Sequence, residues 1–289
     1  MSTVGSVYCI GRYERTADDV LNSLRTKKGT QPDRAERDRP KPQFKQVFAS
    51  VERKLEEVIL MGFEEARKRD PHHRMECVVL VDGDHKQLRA IEAAAKKYDR
   101  KVRIIVDFIH LSEYIWKAAH ALFGSKNTKE KEAWVLKRLE RILEGHAGNV
   151  AAGVGRSAKR QGLTQKERAA VESCKRYILN HKKYMDYHKA LQLGSPICTG
   201  VIEGACRYLV RDRMELTGCR WGLKGAEAML KMRAIIVTGD FEEYWGYHLM
   251  KEKERNHENH YKDWKLPGLS DTDQRPQLTL IQGGLHPCP

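Results

Sequence analysis

Long hydrophobic runs are missing from this sequence. The densest apolar stretch, Val58 to Phe63, is only six residues, against the roughly 18 that a membrane span requires. No membrane partner is therefore expected. The opening segment MSTVGSVYCIGRYERT lacks a basic region followed by an apolar stretch, so it does not read as a secretory signal. Paired cysteines are missing too. Cys9, Cys77, Cys174, Cys198, Cys206, Cys219 and Cys288 are odd in number and scattered, and none makes a C-x-x-C pair. That argues against a disulfide framework or a structural zinc site and for reduced thiols that behave as small hydrophobes. A soluble, intracellular chain is the expectation. Acidic residues are also in short supply: 53 Lys and Arg against 39 Asp and Glu leave +14 over 289 residues. An excess of that size suits a polyanionic partner, of which nucleic acid is the commonest in the cytosol.

Gly and Pro are near their average share, so what is present is a foldable chain of one large or two ordinary domains. Residues 4–10 (VGSVYCI) read as a short strand. Residues 25–45 hold eight basic and three acidic residues with three prolines. This reads as an exposed linker, either a solvated loop or a phosphate-contacting arm. From Gln46 to Arg69, apolar residues recur at helical spacing and predict one amphipathic helix.

The next segment is the most informative. The run ECVVLV ends at Asp82, a helical pattern covers residues 85–98, and KVRIIV ends at Asp107. Strand, helix, strand at this spacing is a βαβ unit with parallel strands. Both aspartates then lie at the carboxyl ends of strands, the edge where open α/β sheets place their chemistry. Beyond Asp107 the pattern is helical: 109–123, 129–143, 165–179 and 182–191, with a Gly- and Ala-rich connection between the middle two. Residues 111–198 thus form a helical insertion. Thr199 is a candidate N-cap for a helix over 201–215, closed by Gly218, and two more helices cover 223–237 and 241–254. The domains expected are a strand and basic linker over 1–45, an α/β core part over 46–110, the helical insertion over 111–198, C-terminal helices over 199–254 and a disordered tail over 255–289.

Three constellations can carry chemistry. Asp82, in VVLVDGDHKQL, is either a hard oxygen ligand for magnesium or manganese or a plain strand-to-helix turn with Gly83. Asp84 beside it suits a helix N-cap. Asp107 and His110 share a helix face, where Asp107 can orient the imidazole or bind a metal with it; capping and packing are the alternative roles. Glu203 falls in a first helical turn among the small residues Gly200, Gly204 and Ala205, with Arg207 and Arg211 following along its face. From Arg207 to Arg233, seven basic residues, Arg213 and Arg220 among them, surround Tyr208 and Trp221. Basic and aromatic side chains interleaved in this way are compatible with nucleic-acid contact, and Trp221 can equally be core.

Three segments carry a resemblance: VVLVDGDHKQL, IIVDFIHLSEYIWKAAHALF and GSPICTGVIEGACRYLVRDRMELTGCRWGLKGAEAMLKMRA. Together they resemble bacterial insertion-sequence transposases of the ISKra type, relatives of the Mutator-like transposases with a DDE triad on an RNase H-like core. The similarity runs from about Val4 to about Tyr261. It implies that Asp82 is the second catalytic Asp and Glu203 the catalytic Glu, both metal ligands. Asp107 and His110 would match the supporting Asp/Cys-x-x-His motif. It further implies two Mg2+ or Mn2+ ions, double-stranded DNA at transposon ends and targets, a homo-oligomer, and a nucleoid-associated place in a bacterial cytoplasm. Arg207, Arg211, Arg213, Arg220 and Trp221 are the expected DNA contacts. The fold expected is a partial RNase H-like α/β core with a large helical insertion and a mostly helical C-terminal half. In the family, a strand bearing the first catalytic Asp precedes two antiparallel strands. Here only residues 4–10 are read as a strand before the linker, and none of Asp18, Asp19, Asp33, Asp38 or Asp70 follows an apolar strand. The first Asp is thus expected to be absent. The alternatives are a catalytically inactive basic DNA-binding or dimerisation remnant, and a haloacid-dehalogenase-type phosphatase with Asp82 as phosphoryl acceptor and Asp84 as acid/base.

Overall fold

The computed structural model of the chain describes residues 2–25, 39–124, 128–160, 163–216 and 218–258. It is a mixed α/β structure, mostly helical, with two small sheets. Contacts divide it into two units, residues 1–239 and 240–289.

The first sheet pairs β1 (Thr3–Cys9) with β2 (Gln43–Ser50) in antiparallel register, Thr3 opposite Ser50 and Ser6 opposite Val47. This corrects the single helix expected over 46–69. Residues 43–50 are a strand, and α2 begins only at Leu55 (Leu55–Arg69). In QVFAS the residues Val47 and Ala49 alternate into a small core with Ala205, Leu209, Leu230 and Ala234, a period of two that the helical reading overlooked. The expected boundary at residue 45 therefore falls inside a strand. Of the basic linker, residues 26–38 lie outside the described residues, and α1 (Ala17–Arg25) precedes them.

The helix α2 packs on β1 and on the helix that follows β3, with Gly62 facing Val7 of β1. The turn from β2 into α2 is anchored from the C-terminal half. Buried Glu227 accepts hydrogen bonds from Ser50 Oγ at 2.9 Å and Val51 N at 2.8 Å, and Lys231 lies 3.3 Å away. These bonds outweigh the desolvation that opposes them and hold the Glu227 carboxyl below its usual range. Glu227→Ala removes the acceptor for the buried Ser50 hydroxyl and the half-buried Val51 N–H, and a buried donor left unpaired costs about 1–3 kcal/mol. Urea unfolding should show a lower midpoint in that variant, with Glu227→Gln less affected because its amide oxygen still accepts.

The second sheet is the expected βαβ unit. β3 (Cys77–Val81) and β4 (Val102–Val106) run parallel, Cys77 opposite Val102 and Val81 opposite Val106, joined by α3 (His85–Lys97). Asp84 caps α3, accepting from Lys86 N at 2.8 Å and Gln87 N at 3.2 Å. At the opposite end of the strands, Arg100 donates to Asp70 at 2.7 Å, both side chains 5% exposed. Hydrogen bonds led by Met75 N hold the Asp70 carboxyl down at about 2.

The helical insertion follows. It comprises α4 (Phe108–Phe123), α5 (Thr128–Leu143), α6 (Ala147–Arg160), α7 (Gln165–His181), a 3-10 turn over Lys182–Tyr184 and the short α8 (Tyr187–Gln192). Two expectations change here. The Gly- and Ala-rich connection is the helix α6, because Val150, Ala151 and Val154 are buried and their packing outweighs the low propensity of glycine. The helix expected over 182–191 is broken into the 3-10 turn and α8. Tyr187 returns from this block to the sheet: it is buried, donates to Val106 O at 2.8 Å and meets the Phe108 ring edge-on.

Beyond it come α9 (Gly200–Cys206), a π-turn over Arg207–Arg211, α10 (Asp212–Met214) and α11 (Leu223–Thr238). The single helix expected over 201–215 is thus interrupted by a π-turn. Arg233 of α11 donates to the carbonyl of Tyr208 there, so it is an internal brace. In the second unit, α12 (Phe241–Lys253) exposes Trp245, Tyr247, Leu249 and Met250. The tail from 259 onward lies outside the described residues. No described helix is long and apolar enough to cross a membrane. None of the six described cysteines is in a disulfide, and Cys288 lies outside the described residues.

Candidate active site

The parallel ladder continues one step past the strands, with Asp107 N donating to Val81 O at 2.8 Å. Asp82 and Asp107 are therefore next in register at the carboxyl edge of β3 and β4. Their environments differ sharply. Asp82 is exposed, and among the described residues its carboxylate has no hydrogen-bond or ion-pair partner. Its loop is held by its backbone. Tyr177 of α7 donates to Asp82 O at 2.6 Å, and the two ring nitrogens of His181 lie 2.7 Å from the carbonyls of Gly83 and Tyr177. Gly83 has φ +94, and a Cβ there would lie 3.1 Å from His181 Nε2 and 3.2 Å from Tyr177 Oη. Only glycine meets both demands.

Asp107 is 1% exposed. One oxygen accepts from His110 N at 2.8 Å, capping α4, and the other accepts from Thr199 N just before α9. Both oxygens thus hold backbone, so capping is its observed role. Asp107 does not orient the His110 ring. That imidazole instead lies 3.8 Å from Glu113 and edge-on to Tyr114 and Tyr177. Tyr177 is the hub of this corner. It stacks on Tyr114 at 4.0 Å, and its hydroxyl is pushed upward in pKa by burial first and then by its neighbours Tyr114, Asp82, Asp107 and Glu113.

Glu203 lies on α9, which starts from the Thr199 segment tied to Asp107; its side chain lies outside the described residues. Among the described residues, no three His, Cys, Asp or Glu side chains converge as a metal-binding set. Asp82 offers a free carboxylate and Asp107 does not, so the described residues alone do not fit a pair of ions. Asp84 caps α3 through one carboxylate oxygen, the N-cap role its sequence suits.

Beyond α9 the surface is basic and aromatic. Arg207 and Arg211 have side chains 72% and 73% exposed, each only 3.9 Å from a neighbouring carboxylate. Arg213 and Arg220 are exposed, as are Tyr208 and Trp221. Trp221 is therefore a surface residue and not core. Sequence reasoning missed Tyr177 and His181, although their four-residue spacing on α7 puts two polar aromatics on one helix face.

No family model, no curated protein and no solved structure matches the chain.

Proposed function

We propose that this chain carries catalytic parts of a DDE-type insertion-sequence transposase, built on a partial RNase H-like core, whose partner is double-stranded DNA and whose cofactor is Mg2+ or Mn2+. One observation carries the reading: Asp82 and Asp107 end adjacent parallel strands, and Asp107 ties that edge through Thr199 to the helix bearing Glu203. The antiparallel β1–β2 pair also supports it, since the expected reading allowed only one strand before the βαβ unit. In such a site Asp82 and Glu203 would hold metal, which polarises the scissile phosphodiester and activates the attacking oxygen. Asp107 would act by positioning α9 and α4. Arg207, Arg211, Arg213, Arg220 and Trp221 would contact the DNA, as phosphate anchors and a stacking surface. The second reading, a DNA-binding protein without cleavage activity, is favoured by the engagement of both Asp107 oxygens with backbone.

The experiment common to both readings is salt-dependent DNA binding. Affinity for duplex DNA should fall linearly in log–log form as salt rises. Replacing Arg207 and Arg211 by Ala should flatten that slope by about 0.9 for each phosphate contact removed. Binding that ignores salt would exclude a phosphate-tracking surface and sink both readings.

A further inference from the structure

We infer that the face shared by α4 and α5 in the helical insertion is a binding site for a phosphate group, built by Trp116 and His120 of α4 and by Lys131, Trp134 and Arg138 of α5.

The spacing comes first. Residues 131, 134 and 138 fall at i, i+3 and i+7 on α5, and residues 116, 120 and 123 at i, i+4 and i+7 on α4. Each set therefore lies along one helix face, and the two faces meet. Lys131 Nζ lies 3.2 Å from His120 Nδ1, and the Trp134 ring meets Phe123 edge-on at 6.0 Å. In an antiparallel helix pair that register brings Trp116 level with Arg138. The Trp116 ring also lies 6.0 Å from the His120 ring.

What marks this face is positive charge without an anion. Lys131 is 4% exposed, and among the described residues its ammonium meets only the imidazole of His120. An ammonium donates and cannot accept, so His120 Nδ1 accepts and Nε2 carries the ring proton as a donor. The Arg138 guanidinium lies 3.6 Å over the Trp134 ring. Of its N–H donors only one, on Nη1, has a partner among the described residues, the Trp134 carbonyl at 3.1 Å. Burial alone pulls Arg138 down to about 10. Other covered cations of this chain have acids: Arg100 is paired with Asp70 and Arg69 with Glu65. A desolvated cation without an anion is costly, and this face holds two of them.

The donors name the anion. A guanidinium stacked on an indole keeps its N–H edge for a bidentate acceptor, which phosphate and carboxylate both supply. Two cations and an imidazole N–H together favour phosphate, with its greater number of charged oxygens. The indoles beside them suit the sugar and base that a nucleic-acid phosphate carries. His120 is exposed, and Trp116, Trp134 and Arg138 are half-buried, so these four reach the ligand. Lys131 acts from behind them, through its charge and by fixing the imidazole. The backbone of nucleic acid is the favoured source of the phosphate. That choice alone rests on the DNA-binding readings above, and the site lies in the insertion, not in the segment from Arg207 to Trp221.

The test follows the tryptophan indole N–H signals by proton–nitrogen NMR, assigned with Trp116→Phe and Trp134→Phe, as inorganic phosphate replaces chloride at constant ionic strength. The Trp116 and Trp134 signals should shift together and saturate, with Trp245 unmoved. Arg138→Gln should weaken this response by about tenfold. Lys131→Met separates binding from folding. Removing a buried cation without an anion should leave the thermal midpoint in chloride unchanged or higher, while the rise that phosphate gives the parent is lost. No saturable shift, a shift as large at Trp245, or a response that survives both substitutions overturns the inference. A short DNA duplex then identifies the source. The same two signals moving with duplex, and not in Arg138→Gln, assign the site to the nucleic-acid backbone. Shifts with phosphate and none with duplex keep the site and assign it to a phosphorylated small molecule. Duplex binding with Trp116 and Trp134 silent to both probes sinks this site and leaves the DNA-binding readings standing.

Discussion

Asp107→Ala is expected to lower the stability of the fold by about 2–4 kcal/mol, while Asp82→Ala changes it by no more than about 0.5 kcal/mol. The two aspartates look equivalent in sequence, each ending an apolar strand. In the structure, loss of the Asp107 carboxylate removes the cap of α4, worth about 1 kcal/mol. It also strands the buried Thr199 N–H, at about 1–3 kcal/mol. Asp82 is exposed and its carboxylate makes no such bond. Urea denaturation of the two variants, compared at equal m-values, reads the difference directly. Asp107→Asn should fall between them, since an amide oxygen can accept one of the two bonds. Equal stability of Asp107→Ala and the parent would mean that the carboxylate is free for other chemistry.

The sequence made the second sheet legible because each of its signals is local. β-branched runs, an Ala-rich helix and Asp84 as its cap all lie within residues 76–107, and the structure follows them nearly residue by residue. β2 was hidden because its first residues, Gln43 to Lys45, are polar and its apolar alternation runs straight into the helical period of α2. The helix α6 was hidden because glycine and alanine read as a connection, and only the insertion's packed interior makes them helical. In the candidate site, the positions of Asp82 and Asp107 were legible from strand ends. Their different roles were not. The difference arises from Thr199 and Tyr177, which lie 92 and 95 residues from the aspartates they contact. Glu227 was likewise unremarkable in sequence, because its partners lie about 175 residues away.

The 289-residue protein alone is expected to neither nick nor join transposon-end DNA with Mg2+ or Mn2+, giving product no faster than the metal-free control. A two-ion phosphodiester site needs several free carboxylates around ions about 3.5–4 Å apart. Of the acids brought to this edge, Asp107 holds two backbone N–H groups and Asp84 caps α3. On the proposed reading, Asp82 and Glu203 would be the two acids left to hold metal. Weak binding of one ion is compatible with this arrangement, whereas cleavage is not expected from it. Supplying a strand that ends in Asp beside Asp82 should restore metal-dependent nicking, and Glu203→Gln should then abolish it. Should the unsupplemented chain nick DNA in a metal-dependent way that Asp82→Asn removes, a further acid already in the chain must complete the site. Glu113, which lies near Tyr177 and His110 at this same corner, is then the residue to replace next.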